Sequence, residues 1–374
     1  MVLKSSVKKQ TVFAVIILLF IIFIFLICAE IYLRATEAYI VKQSRKTLGD
    51  YFLTTPELAF ERTSRGKRLR PDAHIIVKNH QVSHADVYVD INSRGFRDEE
   101  LPVEKGDKEI RILVLGDSIT LGSYLPAEKV YGELVEKNLQ SEMPNYKIEV
   151  VNAGMGDIGL KEELDILEEK GLDIKPDIVL LAFYLNDSCP PWNTPFEFGH
   201  RGFLRSHLLI AEFFAREVLY RSKKEEILEP IIKYSEAGRK LDWKNNREDF
   251  LKFAKMADFD WGSAWEDRSW EIFDNELTRL KKDSEENHFK VAVVVFPVYF
   301  QVYSQFVEDK PQRNMEQRST ELGFYYLDLL PTLRDNSQIN LFFDHCHPNQ
   351  RGNEIIGDEI SRFLFKEVFP DLHL

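Results

Sequence analysis

A chain of 374 residues with 44% hydrophobic content has ample material for a full-sized core, which excludes a disordered or fibrous protein. Its formal net charge of -12 excludes a general nucleic-acid surface, because neutralising phosphates takes clustered Lys and Arg. Three cysteines, Cys28, Cys189 and Cys346, are too few and too scattered for a disulfide scaffold or a closed zinc site.

From Val12 to Ala29 run eighteen residues with no charge and no strong polar group. At the helical rise they span about 27 Å, just enough to cross a bilayer. Lys4, Lys8 and Lys9 precede them with no acidic residue among them, which puts the amino terminus in the cytoplasm and the rest of the chain outside. A cleaved signal peptide is the competing reading, but the run lacks a small-x-small exit. Bulky Leu26 and Ile27 stand where a lipidated Cys28 would need small neighbours. Residues 1–34 are therefore read as a tail and an uncleaved anchor in a bacterial inner membrane, with residues 12–29 in the lipid.

Residues 35–108 are read as a neck or linker, helical to about residue 70, followed by a small β segment. Ala73–Lys78 and Asp86–Ile91 alternate as a hairpin would. Asn92-Ser93-Arg94-Gly95-Phe96-Arg97-Asp98 reads as a turn into the first core strand, its arginines suited to an anionic ligand or to solvated and salt-bridged positions.

From residue 109 to the end, apolar strands alternate with amphipathic helices, which implies a parallel sheet covered on both faces. The strands are Arg111–Leu115, Lys147–Val151, Ile178–Phe183, Val291–Phe296 and Tyr325–Leu329. Between the third and fourth lies an interval far too long for a loop, so a helical insertion is expected at 188–270. It holds all five tryptophans, Trp192, Trp243, Trp261, Trp265 and Trp270, as rings facing sugar or acyl groups or as the insertion's own core.

Open α/β sheets bind ligands beyond the carboxyl ends of their strands, and four polar turns fall there. The first is Gly116-Asp117-Ser118, in which Ser118 is either a helix cap or a nucleophile. Asn152-Ala153-Gly154 and Tyr184-Leu185-Asn186 offer a backbone amide and a side-chain amide, neutral donors of the kind that stabilise an oxyanion. The last is Asp344-His345-Cys346-His347, where a spacing of three lets Asp344 orient His347 toward a serine. His345, Cys346 and His347 also permit a metal reading, although adjacent side chains converge poorly on one ion. Cys189 and Cys346 both follow strands at this edge, and they are either paired or two free thiols.

Ser, Gly, Asn and Asp-x-x-His in this order resemble the SGNH, or GDSL-type, esterase family over about residues 109–366. The resemblance implies a flavodoxin-like three-layer α/β/α sandwich. It also implies Ser118 as nucleophile, His347 as base and then acid, Asp344 as its orienter, and an oxyanion site formed by the amides of Ser118 and Gly154 and the side chain of Asn186. No metal or organic cofactor is implied. Tyr184 stands where the third block has glycine, and Ile119 where the first has leucine. Thr120 excludes the Gly-x-Ser-x-Gly elbow of ordinary α/β-hydrolases.

The expected protein is a membrane-anchored extracytoplasmic serine esterase or deacylase acting on short O-acyl esters, with acylated cell-envelope glycans as the favoured substrate. The alternatives are an O-acyltransferase using the same triad and a glycan acceptor, or a non-catalytic glycan-binding protein.

Overall fold

The computed structural model describes residues 11–32, 60–63, 65–77, 79–80, 82–102, 104–189, 208, 210–211 and 221–372, of which 60–63, 75–77 and 221–228 are described by their backbone alone. Helix α1 (Thr11–Tyr32) has a mean hydropathy of 3.6 over its most apolar window, none of which is buried, and it is long and apolar enough to cross a membrane.

Two antiparallel pairs follow. Strands β1 (Phe60–Thr63) and β2 (Gly66–Leu69) form one, and β3 (His74–Val77) and β4 (Val87–Asp90) the other. The second is the hairpin that alternation predicts. The first corrects the expectation of a helical stretch to residue 70, while residues 33–59 lie outside the described residues. Gly66, at φ +111°, turns the chain, and Arg68 is buried with Nε 2.6 Å from Glu169 Oε2, so a charged sequence becomes a strand by pairing its charge.

The core sheet is parallel, with strands β5 (Glu109–Gly116), β6 (Lys147–Asn152), β7 (Ile178–Tyr184), β8 (Lys290–Phe296) and β9 (Tyr325–Asp328) in the order β6-β5-β7-β8-β9. Numbered within the sheet this is 2-1-3-4-5, the flavodoxin-like order, whose switch point lies beside β5. All eight residues of β5 are buried. Its one cation, Arg111, is matched at the amino end by Glu109 and Glu149, with Nε 2.6 and 2.8 Å from their carboxylates. The outer edge of β6 is capped by side chains: the amides of Ile148, Val150 and Asn152 donate to Gln140 Oε1 (3.1 Å), Glu136 Oε2 (2.8 Å) and Asp98 Oδ2 (3.1 Å).

The helices of the sandwich are α2 (Ser118–Leu121), α3 (Tyr131–Glu142), α4 (Leu160–Ile166), α5 (Arg221–Lys240), α6 (Arg247–Met256), α7 (Asp267–Asn287), α8 (Tyr299–Tyr303), α9 (Lys310–Leu322), α10 (Leu330–Asp335) and α11 (Gln350–Phe363). One layer pairs α3 with α11; the other sets α7 against α4 and α9. Helices α5 and α6 and a helical turn at Trp261–Trp265 make up the described part of the expected insertion. Trp261, Trp265 and Trp270 are buried, and Trp243 packs on Phe300 at 4.9 Å between centroids. The first three rings are core and Trp243 is half-buried against it; Trp192 lies outside the described residues.

Candidate active site

The site assembles at the carboxyl ends of β5, β6 and β7, beside the switch point. Asp117 caps α2, its Oδ1 accepting the amide of Ile119 at 2.8 Å. Capping thus falls to Asp117 and leaves the hydroxyl of Ser118, the first residue of the helix, to point elsewhere. Ser118 Oγ lies 2.9 Å from His347 Nε2, and His347 Nδ1 lies 2.7 Å from Asp344 Oδ2. A carboxylate only accepts, so Nδ1 donates to Asp344 and Nε2 accepts from the serine.

The loop that carries this pair is tightly closed. Phe343 N donates to His347 O (2.8 Å), Asn349 N to Leu341 O (2.8 Å), and Asn349 Oδ1 caps α11 by accepting Gly352 N at 3.0 Å. Inside the loop, Asp344 Oδ1 accepts the amides of Cys346 (2.9 Å) and His347 (2.8 Å). Burial works against ionisation of Asp344, but the His347 imidazole and these two amides outweigh it and hold the carboxyl well below the usual carboxylate range. The Tyr124 ring packs against the His347 imidazole at 4.5 Å between centroids.

Asn186, after β7, keeps its Oδ1 buried without a partner among the described residues, and its side-chain amide is bonded to none of them. Ser118 N–H, at the first position of α2, has no acceptor within the helix. Gly154 differs from these two, because its N–H already donates to Asn152 Oδ1 at 2.9 Å. A Cβ at Gly154 would lie 2.3 Å from Leu121 N, so the residue is fixed as glycine by its close approach to α2. Tyr184 is 1% exposed and belongs to the core of β7.

Beneath Ser118 three carboxyl groups are buried: Asp117, Glu163 and Asp187. Burial pushes Asp117 up to about 6, and burial reinforced by the neighbouring carboxyls pushes Glu163 and Asp187 well above their ordinary range. Burial thus favours the protonated forms of Glu163 and Asp187.

His345 turns away from its neighbours, with Nε2 2.9 Å from Asp260 Oδ2 in the segment between β7 and β8. The His345, Cys346 and His347 of the disfavoured metal reading are thus not brought together. Among the described residues the donor atoms that approach within 4.8 Å of one another are those of Asp344, Cys346 and His347. Two of these already form the relay to Ser118, and burial pushes the Cys346 thiol well above its ordinary range, away from the thiolate a metal needs. Cys189 and Cys346 are free thiols; Cys189 Sγ faces the carbonyl of Asp260 at 3.6 Å. Sequence reading overlooked Asp260 and His345 as partners and Asn152 as the residue that holds Gly154. The asparagine's place two residues before that glycine was the available signal.

A family model described as GDSL-like lipase/acylhydrolase matches residues 112–360. Solved structures similar to the chain include Axe2, an acetylxylan esterase from Geobacillus stearothermophilus, at 17% identity and a TM-score of 0.42, covering 71% of this chain and 98% of that one. LAE5, an alpha/beta hydrolase enzyme from the metagenome of Lake Arreo, Spain, is 14% identical with a TM-score of 0.39, over 70% of this chain and 96% of its own. The acetyl xylan esterase AlAXEase is 15% identical with a TM-score of 0.38, over 68% and 98%. No curated protein matches the chain.

Proposed function

Since this chain belongs to the GDSL-like lipase/acylhydrolase family and is a serine hydrolase of ester bonds, we propose that its nucleophile is Ser118, served by His347 and Asp344. The observation that carries the reading is the unbroken relay of 2.9 and 2.7 Å from Ser118 through His347 to Asp344.

In this reading Ser118 Oγ attacks the ester carbonyl while His347 Nε2 takes its proton, and Asp344 holds the imidazole in the required tautomer and stabilises its charge. The oxyanion rests on Ser118 N–H and the Asn186 side-chain amide, with Gly154 N–H shared between Asn152 and the oxyanion. His347 returns the proton to the departing alkoxide. Water, deprotonated by the same imidazole, then releases the acid from the acyl-serine.

Helix α1 is read as a single-pass anchor, with Lys4, Lys8 and Lys9 on the cytoplasmic side and the catalytic domain outside. Residues 1–34 form the tail and anchor, 35–108 the connecting region, and 109–374 the catalytic domain. Short-chain O-acyl groups on cell-envelope glycans suit that location. The buried tryptophans lend this substrate no support, so location alone favours it.

The test is hydrolysis of p-nitrophenyl acetate by the full-length protein in detergent, beside Ser118→Ala and His347→Ala. Each substitution is expected to lower kcat by about 10³-fold or more, with the fold intact by circular dichroism. Turnover that survives Ser118→Ala would refute the assignment.

A further inference from the structure

The segment Asn92–Asp98 precedes the stretch that the family model matches, yet its side chains reach the catalytic edge. Each residue type has a local reason. Asn92 Oδ1 accepts the amides of Arg94 and Phe96, both at 3.0 Å, closing the turn. Gly95 has φ +77°, and a Cβ there would lie 2.9 Å from Lys170 Nζ and 3.1 Å from Leu69 O. Phe96 is fully buried and pins the turn to the core. The next two side chains are thereby aimed inward.

Arg97 is 4% exposed. It is neither solvated nor paired with a carboxylate among the described residues, contrary to the expectation for an arginine in such a turn. Its Nη1 donates to Leu121 O at 2.5 Å, and its Nη2 to Leu125 O at 2.9 Å and Tyr88 O at 3.2 Å. Leu121 closes the one-turn helix that Ser118 opens. So short a helix has no stability of its own, and its terminal carbonyls need outside donors. A cation at the carboxyl end also suits the helix dipole. Burial lowers the Arg97 pKa to about 10 against the opposing fields of Glu133, Asp90 and Glu128, which leaves it charged at neutral pH.

Asp98 serves the second turn. Its Oδ2 accepts Asn152 N at 3.1 Å, and Asn152 in turn donates through Nδ2 to Thr120 O at 2.8 Å and accepts Gly154 N. Adjacent side chains from one turn therefore hold both the nucleophile helix and the turn bearing Gly154.

We infer that Arg97 and Asp98 are positioning residues for ester hydrolysis, Arg97 by fixing α2 beneath Ser118 and Asp98 by fixing Asn152 and the turn of Gly154. The inference rests on the reading of Ser118 as nucleophile. It makes the region before residue 109 part of the catalytic machinery as well as a connection to the anchor.

The experiment compares full-length Arg97→Met, Arg97→Lys, Asp98→Ala and Asp98→Asn with wild type. It reads kcat and KM on p-nitrophenyl acetate and hydrogen-deuterium exchange of peptides covering residues 117–125, 152–155 and 290–296. A small misplacement of a reacting group costs up to about 10²-fold, so Arg97→Met is expected to lower kcat by about 10- to 100-fold with KM little changed. Exchange should quicken at 117–125 and stay unchanged in β8. Arg97→Lys keeps one carbonyl contact and should recover part of the loss. Asp98→Asn keeps an acceptor and should act nearly as wild type, whereas Asp98→Ala should lose activity and loosen 152–155. Unchanged kcat in folded Arg97→Met, or exchange that rises equally in β8, overturns the inference. If Arg97→Met does not fold, the contrast between Asp98→Ala and Asp98→Asn decides. A wild type without turnover would defeat the esterase reading instead, and the exchange data alone would then judge the brace: quickening confined to 117–125 upholds it, and none rejects it.

Discussion

His345 and Asp260 form a second imidazole-carboxylate contact, 2.9 Å long, that ties the loop of His347 to the segment between β7 and β8. Burial disfavours the charged ring, but the hydrogen bond and charge of Asp260 outweigh it, helped by Asp344 and Asp117, and the His345 pKa is raised above 6.5. A group raised on folding contributes its full stability below its unfolded pKa and loses it as pH climbs through the folded one. Asp260→Asn should therefore lower the thermal midpoint by a few degrees at pH 6 and by less at pH 9. A gap of equal size at both pH values would remove His345 titration from the account.

Glu163 behaves in the opposite sense. Its carboxyl, 1% exposed and without a partner among the described residues, keeps a proton that the unfolded chain has released above about 4.5. Stability therefore falls as pH rises from there toward the folded pKa. Glu163→Gln, neutral throughout, should match wild type near pH 5 and exceed it in thermal midpoint at pH 8. A variant less stable than wild type at pH 8 would show that Glu163 is ionised and held by a partner.

Asn186→Ala removes one of the neutral donors proposed for the oxyanion. Removal of such a donor costs about 10²- to 10³-fold in kcat, and the same range is expected here with KM changed far less. Steady-state kinetics on p-nitrophenyl acetate checks it; a loss confined to KM would place Asn186 in substrate binding.

Gly154→Ala sets a methyl group against the backbone of α2, 2.3 Å from Leu121 N before any relaxation. Backbone cannot swing aside as a flexible side chain does, so a loss of about 2 kcal/mol or more is expected in urea denaturation. Activity should fall with it, because the same displacement moves Ser118. A stable and active Gly154→Ala would show that α2 is free to shift.

The parts of the site that were legible in the sequence are those whose chemistry is local. Ser118, Gly154 and Asn186 follow strands that their apolar runs announce, Asp344 and His347 are linked by a spacing of three within one loop, and hydrophobic alternation announced the β3–β4 hairpin. What stayed hidden depends on contacts between distant segments. Arg97 looks like any exposed arginine until Leu121 O and Leu125 O are in place around it. Asp260 sits 85 residues before His345, with no spacing to link them. Strand β2 was obscured because Arg68 is buried against Glu169, a pairing across 101 residues. Trp261 and Trp265 gave no sign of their direction; they turn into the core with Phe250 between α6 and the turn that follows it.

A protein tethered as proposed meets its own copies in two dimensions, at far higher encounter frequency than in free solution. Bare strand edges are templates for pairing under such crowding. The amides of Ile148, Val150 and Asn152 on the outer edge of β6 are already engaged by Gln140, Glu136 and Asp98, which leaves these three with no donor to offer a neighbouring sheet. The opposite rim, β9, is four residues long and gives a second copy few bonds to grip. Asp98 thus caps this rim and holds Asn152 with a single carboxyl group, so its loss should surface as aggregation at the membrane as well as lower turnover.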